Sequence, residues 1–281
     1  MNIRSLDVEA ESAGAAADAI GAMYANDLDV LVVRRALAPV GLAVAGQRLD
    51  RNEVAVDWAR PNQKMPVEDI QLLGTDTPAT PTFQNPRGAS FEAYLESAEK
   101  NQDARHGIFG GDFDPTNEIR LALEQFSGGR PCEVPVAADG RRYTPYTVRR
   151  LTDGKQIGIH HDYHYPLDLY KELSAAVDTT TLISWVFTLQ RPERGGDLVV
   201  YPITPQTPDV PKLPNGFAYD QAKIDEQFSS ERFTTEAGDL FLLASGRCLH
   251  RVDRIVGPLA RVTMGGFLAL DKTRGRVLFW S

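Results

Sequence analysis

The stretch I-G-I-H-H-D-Y-H-Y-P at residues 157–166 decides how this chain folds. Read as a helix, it stacks His160 and His164 one turn apart, the spacing of a zinc-protease helix. That motif needs a glutamate directly after the first histidine as general base. Here the next residue is His161, and Pro166 follows closely. Read as the end of a strand, the stretch points His160 and Asp162 to the same side, because alternate side chains of extended chain share a face. The extended reading is the consistent one, and it sets a β-rich frame for the second half of the chain.

One imidazole and one carboxylate facing a common point need one more donor. A second imidazole would complete a two-histidine, one-carboxylate facial triad, which holds Fe(II) and leaves positions open for substrate and O2. Five histidines are present: His106, His160, His161, His164 and His250. His250 is the candidate third ligand, since it follows the apolar run 239–244 and opens the strand-like run 250–256. A His-x-Asp pair alone is common in surface turns, so the triad needs support from elsewhere.

Arg261, followed by Thr263 on the same strand face, supplies it. A guanidinium grips a carboxylate with two parallel hydrogen bonds, and a hydroxyl adds a third. A 2-oxo dicarboxylate would chelate iron at one end and meet Arg261 at the other. The neighbours Met264, Gly265, Gly266 and Phe267 read as interior rather than surface. His161 and His164 are left as groups near the metal or exposed. Cys248 lies close to His250 but has no nucleophile context.

Outward from the motif, short β-rich runs fill the chain after Gly140: 143–151, 181–190, 197–201, 239–244, 250–256 and 261–270. Gly195-Gly196, Gly238 and Gly257-Pro258 punctuate them, as between the strands of a barrel or jelly roll. A helical insertion is expected at 166–177. Before Gly140 the pattern is mainly helical, with helices over 9–24, from Pro39 to about 49, over 90–102, and from Asp114-Pro115 to Gly128-Gly129. A strand is expected at 29–34. Residues 59–90 read as a long irregular lid. The whole is an α+β chain with one β core.

The 281 residues are 42% hydrophobic and 24% charged, in the range of globular domains, and are long enough to bury a core. A net charge of −8 argues against nucleic acid, which needs a basic face. Two cysteines are too few for a disulfide framework or a thiolate metal cluster; two reduced thiols in a cytoplasmic protein are expected. No apolar run is long enough for a membrane span, and the N-terminus lacks signal-peptide features.

The runs Y-T-P-Y-T-V-R-R-L at 143–151, G-K-Q-I-G-I-H-H-D at 154–162 and G-G-D-L-V-V-Y at 195–201 resemble the hapalindole and welwitindolinone alkaloid halogenases. So do G-G-F-L-A-L at 265–270 and the final F-W-S. The resemblance is clear from about Leu123 onward. It implies a double-stranded β-helix (jelly-roll, cupin-like) core at 141–281 in a single oxygenase domain, with residues 1–140 as flanking helices and lid. It also implies iron ligation by His160 and His250, 2-oxoglutarate contact by Arg261, and a serine near the iron at Ser184. Thr147, on a strand matching the family's, is assigned to the cofactor with Thr263.

One departure matters. The halogenases carry glycine where this chain has Asp162, and chloride fills that coordination position. Asp162 therefore implies hydroxylation or another oxidation rather than halogenation. The chain also looks like bacterial hydroxylases of N-succinylated amino acids, which keep the aspartate. The expected substrate is an N-acyl, N-succinyl, aliphatic amino acid oxidised on its side chain. Arg87 is the expected carboxylate anchor, with Ser184, Trp185 and Phe267 lining the substrate site. The alternatives are an alkaloid or other natural-product substrate, or a cupin-type metal-binding protein without oxygenase activity. Neither sugar isomerases nor binding cupins need the Arg261 clamp. A homodimer is left open.

Overall fold

The computed structural model describes residues 2–50, 71–73, 90–107, 109, 113–162, 171–214, 216 and 218–281. The N-terminal part begins with β1 (Ser5–Glu9), a 3-10 helix (Ala10–Ala16), α1 (Ala19–Tyr24), β2 (Val30–Arg34) and α2 (Pro39–Asp50). It continues with β3 (Gln71–Leu73), α3 (Phe91–Lys100), α4 (Gln102–Gly107), α5 (Pro115–Glu124) and β4 (Cys132–Glu133). The C-terminal part holds β5 (Thr147–Leu151), β6 (Ile157–His160), α6 (Lys171–Ala176), β7 (Ile183–Gln190) and β8 (Leu198–Tyr201). Then come α7 (Gln221–Gln227), β9 (Glu231–Phe233), β10 (Leu240–Leu243), β11 (Leu249–Val252), β12 (Arg261–Leu270) and β13 (Val277–Trp280).

Two sheets result. The larger runs β1-β2-β10-β7-β12-β13-β4, with β5 on β12 and β3 on β5; the smaller runs β6-β11-β8-β9. They pack face to face. Val30, Val32, Phe241 and Leu243 of the larger sheet meet Val200, Phe233 and Cys248 of the smaller side. The other face of the larger sheet carries Leu31, Val33, Trp185, Phe187, Leu242 and Met264. It is covered by Ile20 and Met23 of α1 and by Ile119 and Leu123 of α5. β2 is thus buried on both sides, which is why its sequence, V-L-V-V, is continuously apolar rather than alternating.

Helix ends follow their capping chemistry. Ser90 caps α3 through the Ala93 N–H, and Asp114 caps α5 through the N–H groups of Thr116 and Asn117. The expected helix over 9–24 is instead a 3-10 turn and a short α-helix. Ser12 leaves helical backbone angles, and Asp18 caps a fresh start by accepting from the Gly21 N–H. The residues just before it, S-L-D-V-E, form an edge strand parallel to β2. Within the expected lid, Gln71–Leu73 pairs with β5. Apart from Ser90, the rest of that segment, Arg87 included, lies outside the described residues. Both cysteines are free and buried. No described helix is long and apolar enough to cross a membrane.

Candidate metal centre

His160 ends β6 and pairs directly with His250 on β11, bringing the ring centroids to 4.3 Å. Asp162 lies just beyond β6, held by its N–H to the Ser245 carbonyl at 3.0 Å. The three side chains offer donor atoms that all lie within 4.8 Å of one another. His160 Nε2 is 3.5 Å from Asp162 Oδ1, and His250 Nε2 is 3.6 Å from Asp162 Oδ2. Bonds of about 2.1 Å at right angles put neighbouring donors about 3 Å apart. The observed spacing, 4.8 Å at most, is wider than that, so the three side chains would draw inward around a metal ion.

The tautomers are set by the backbone. His160 Nδ1 lies 2.7 Å from the Gly158 carbonyl and His250 Nδ1 lies 3.0 Å from the Cys248 carbonyl. A carbonyl only accepts, so each Nδ1 carries the proton and each Nε2 presents a lone pair to the centre. Burial, with a smaller push from His160, takes the His250 pKa down to about 4 against the pull of Asp162. The imidazole is therefore neutral and ready to ligate at neutral pH. Asp162 is buried, and its Oδ2 accepts a 2.6 Å hydrogen bond from Ser184 Oγ.

β12 carries a second feature along its inner face. Paired residues across antiparallel strands share a face, so Arg261, Thr263, Gly265 and Phe267 line up with Leu151, Arg149 and Thr147 of β5 and with Thr188, Val186 and Ser184 of β7. Arg261 is only 9% exposed. Burial, then the neighbouring Arg149, pull its pKa to about 10, with Asp197 opposing; it is still a cation at neutral pH. Its guanidinium makes one long contact, 3.5 Å to Thr263 Oγ1. Among the described residues no carboxylate is within ion-pair distance of it. A buried cation without an anion is costly, so this donor set is suited to an incoming carboxylate.

The remaining expected residues sort by strand parity. Thr147 is buried, with Oγ1 2.8 Å from Ser281 Oγ. Phe267 pairs with Ser184 and shares the face of the metal centre. Trp185 does not: its neighbour Ser184 points to Asp162, so Trp185 points the other way, into the core beneath the helices, beside Phe187 and Phe279. The substrate-lining role expected for Trp185 is corrected accordingly. His161 is turned from the metal; its Nε2–H donates to the Ile203 carbonyl and Nδ1 accepts from the Tyr219 hydroxyl. His164 lies outside the described residues. Burial pushes the Cys248 thiol up to about 12, which suits an inert core thiol.

Two contributors escaped the sequence reading. Gly196, at φ +74°, sits so close to the Arg261 stem that a Cβ there would be 3.1 Å from Arg261 Cδ. The Gly195-Gly196 signal was visible as a turn, but its link to Arg261 was not. Ser245 carried no signal at all.

A jelly roll with two imidazoles and a carboxylate converging on one point carries the donor set of a mononuclear non-haem iron oxygenase. Within that class the chain belongs to the family of the carrier-protein-independent halogenase WelO5, whose match runs over residues 2–281. That extends well past the stretch where the resemblance was evident by eye. Among solved structures, the non-haem α-ketoglutarate-dependent epimerase SnoN from nogalamycin biosynthesis shares the fold. Its TM-score is 0.52 at 14% identity, over 91% of this chain and 85% of that one. An N-substituted L-amino acid dioxygenase from Burkholderia ambifaria AMMD aligns with TM-score 0.49 and 13% identity, over 94% and 90%. A 2OG-Fe(II) oxygenase-family oxidoreductase from Burkholderia pseudomallei aligns with TM-score 0.47 and 14% identity, over 98% of both chains. No curated protein matches the chain in sequence.

Proposed function

We propose that this chain is an Fe(II)- and 2-oxoglutarate-dependent hydroxylase acting on the side chain of an N-acylated, N-succinyl, aliphatic amino acid. The observation that carries the hydroxylase reading is Asp162, whose carboxylate lies 3.5 and 3.6 Å from the two imidazole Nε2 atoms. A carboxylate there takes the coordination position a halide would need, so the family's halogenation chemistry has no place for its anion. Bound iron, 2-oxoglutarate and O2 together supply the chemistry: the oxo-acid becomes succinate and CO2, and one oxygen atom enters a substrate C–H bond.

The protein's own residues do the rest. His160, Asp162 and His250 hold the metal. Arg261 grips the distal carboxylate of 2-oxoglutarate with Thr263 beside it, and Thr147 faces the same space. Phe267 gives an apolar wall on the metal side. With a net charge of −8, an anionic substrate is repelled at long range, so local cations must overcome that field. Arg149, on the inner face next to Arg261, adds to that local positive potential. The family match is compatible with a second reading, in which the substrate is an alkaloid or other natural product.

The test is aerobic turnover with Fe(II) and 2-oxoglutarate in chloride buffer, scoring succinate and product mass. The substrate panel is N-succinyl Leu, Val, Ile and Met, the free amino acids, and indole alkaloids. Products one oxygen atom heavier from the N-succinyl set are expected. Product from the alkaloids alone would overturn the substrate class, and chlorinated product from the wild-type chain would overturn the hydroxylase reading.

A further inference from the structure

Behind Asp162 lies a chain of hydroxyl groups. Ser184 Oγ is 2.6 Å from Asp162 Oδ2 and 2.6 Å from Ser245 Oγ. A hydroxyl has one proton, and a carboxylate oxygen only accepts. Ser184 Oγ is placed to donate to either neighbour; the charge-assisted bond is the stronger, so its one proton goes to Asp162, and the contact between the two serines is then made by the Ser245 hydroxyl, which also lies 3.5 Å from the Leu182 carbonyl. The direction of the relay is therefore fixed, running from Ser245 through Ser184 to Asp162.

Ser245 also holds Asp162 a second way, its carbonyl accepting from the Asp162 N–H at 3.0 Å. The turn that carries Ser245, residues 244–248, joins β10 to β11. Gly246 follows and lies flat against the ligand segment. A Cβ there would be 3.2 Å from the Asp162 carbonyl and 3.1 Å from the Leu182 nitrogen, so a side chain would push the turn away. Its own N–H donates to the Leu182 carbonyl at 3.0 Å. At the far end of the same turn, the Cys248 carbonyl accepts from His250 Nδ1. One turn therefore touches two of the three ligands from behind, and Ser245 is fully buried within it.

We propose that Ser245 is a positioning residue for the metal: acting through Ser184, it fixes the plane of the Asp162 carboxylate before metal arrives. The turn at 244–248 is the template that keeps Asp162 in register with His250. Ser184, with its only proton committed to Asp162, then acts on the ligand rather than on substrate. Without the relay the carboxylate loses the 2.6 Å hydrogen bond that holds its plane, and the ordering that bond supplies must be made up on each binding event. Partners behind metal ligands typically contribute about 10–100-fold in affinity. The inference rests on the triad reading above, and the experiment keeps the two apart.

The experiment titrates metal-free protein with Co(II), an air-stable stand-in for Fe(II), by dye competition and by its visible d–d spectrum. Ser184→Ala and Ser245→Ala are each expected to weaken Co(II) binding about 10–100-fold and to alter the spectrum. The double variant should bind no more weakly than Ser184→Ala alone, because the two hydroxyls act in series. Metal-free melting temperatures should stay near wild type. Wild-type affinity in Ser245→Ala, or additive losses in the double variant, would overturn the relay. So would a drop in metal-free melting temperature large enough to account for the lost affinity. Asp162→Ala is the separate control: if it binds Co(II) as wild type does, the triad itself is wrong and the relay falls with it.

Discussion

Replacing Arg261 with methionine pulls apart two quantities that most active-site substitutions move together. The guanidinium is 9% exposed and its hydrogen bond to Thr263 is a long 3.5 Å. It remains charged at neutral pH even though burial takes its pKa to about 10. In the ligand-free protein this is a desolvated cation without a carboxylate among the described residues. Replacing buried ion pairs by apolar side chains of similar volume is often neutral or stabilising by about 1–4 kcal/mol, and a buried cation without a carboxylate beside it has less to offset its desolvation than a pair has. At roughly 2–4 °C per kcal/mol for a domain of this size, the ligand-free melting temperature should rise by several degrees. Cofactor binding should move the opposite way. A two-pronged, charge-assisted grip on a carboxylate in a closed site is worth about 2–5 kcal/mol. At about 1.4 kcal/mol per tenfold, the apparent KM for 2-oxoglutarate should rise roughly 30-fold to several thousand-fold, while the substrate KM changes little. Differential scanning calorimetry of the metal-free protein and succinate production against 2-oxoglutarate concentration read the two effects. An unchanged KM for 2-oxoglutarate would show that the clamp lies elsewhere, and a fall in ligand-free melting temperature would show that the cation is compensated.

Asp162→Gly should convert part of the turnover to halogenation in chloride or bromide buffer, because it removes both a ligand and a negative charge at the metal; metal binding without any halogenated product, read by mass spectrometry, would show that the vacancy alone is insufficient. Gly196→Ala should lower the melting temperature and raise the KM for 2-oxoglutarate at least several-fold, since the new methyl meets Pro192 Cγ at 2.8 Å, Ile255 Cδ1 at 2.9 Å and Arg261 Cδ at 3.1 Å on backbone at φ +74°; a wild-type KM would remove the turn from the account of the clamp. Acid stability should depend on Asp29. Burial raises its pKa, but hydrogen bonds from Arg4 at 2.8 Å and Arg247 at 2.7 Å hold it below its ordinary value overall. A depressed folded value means the stabilisation is complete above the unfolded pKa of about 3.9 and is lost as pH falls through the folded one. Urea midpoints for Asp29→Asn should be lower at neutral pH and fall less steeply on acidification, and an unchanged acid slope would refute the assignment.

The sequence by itself determined whatever depends on local geometry. His160 and Asp162 could be placed on one side of the chain because extended backbone alternates faces every residue. The caps at Ser90 and Asp114, the Pro39 helix start and the buried strand at β2 were likewise short-range features, and all are present. Arg261 and Thr263 could be assigned to one face for the same reason. What only the tertiary structure decided was which face looks inward and which distant residues meet. Trp185 and Ser184 are adjacent and both buried or nearly so, and only the pairing of β7 with β10 and β12 turns Ser184 to the metal and Trp185 to the helices. The edge strand β1 went unread because its partner, β2, lies across an intervening 3-10 turn and helix rather than next to it. Ser245 and Gly196 sit in turns, which have no periodicity to read, and their contacts with Asp162 and Arg261 join segments far apart in the chain. A residue's neighbours along the chain set its conformation, but the partners that make it part of a site are brought in by sheet register, which is a property of the whole fold.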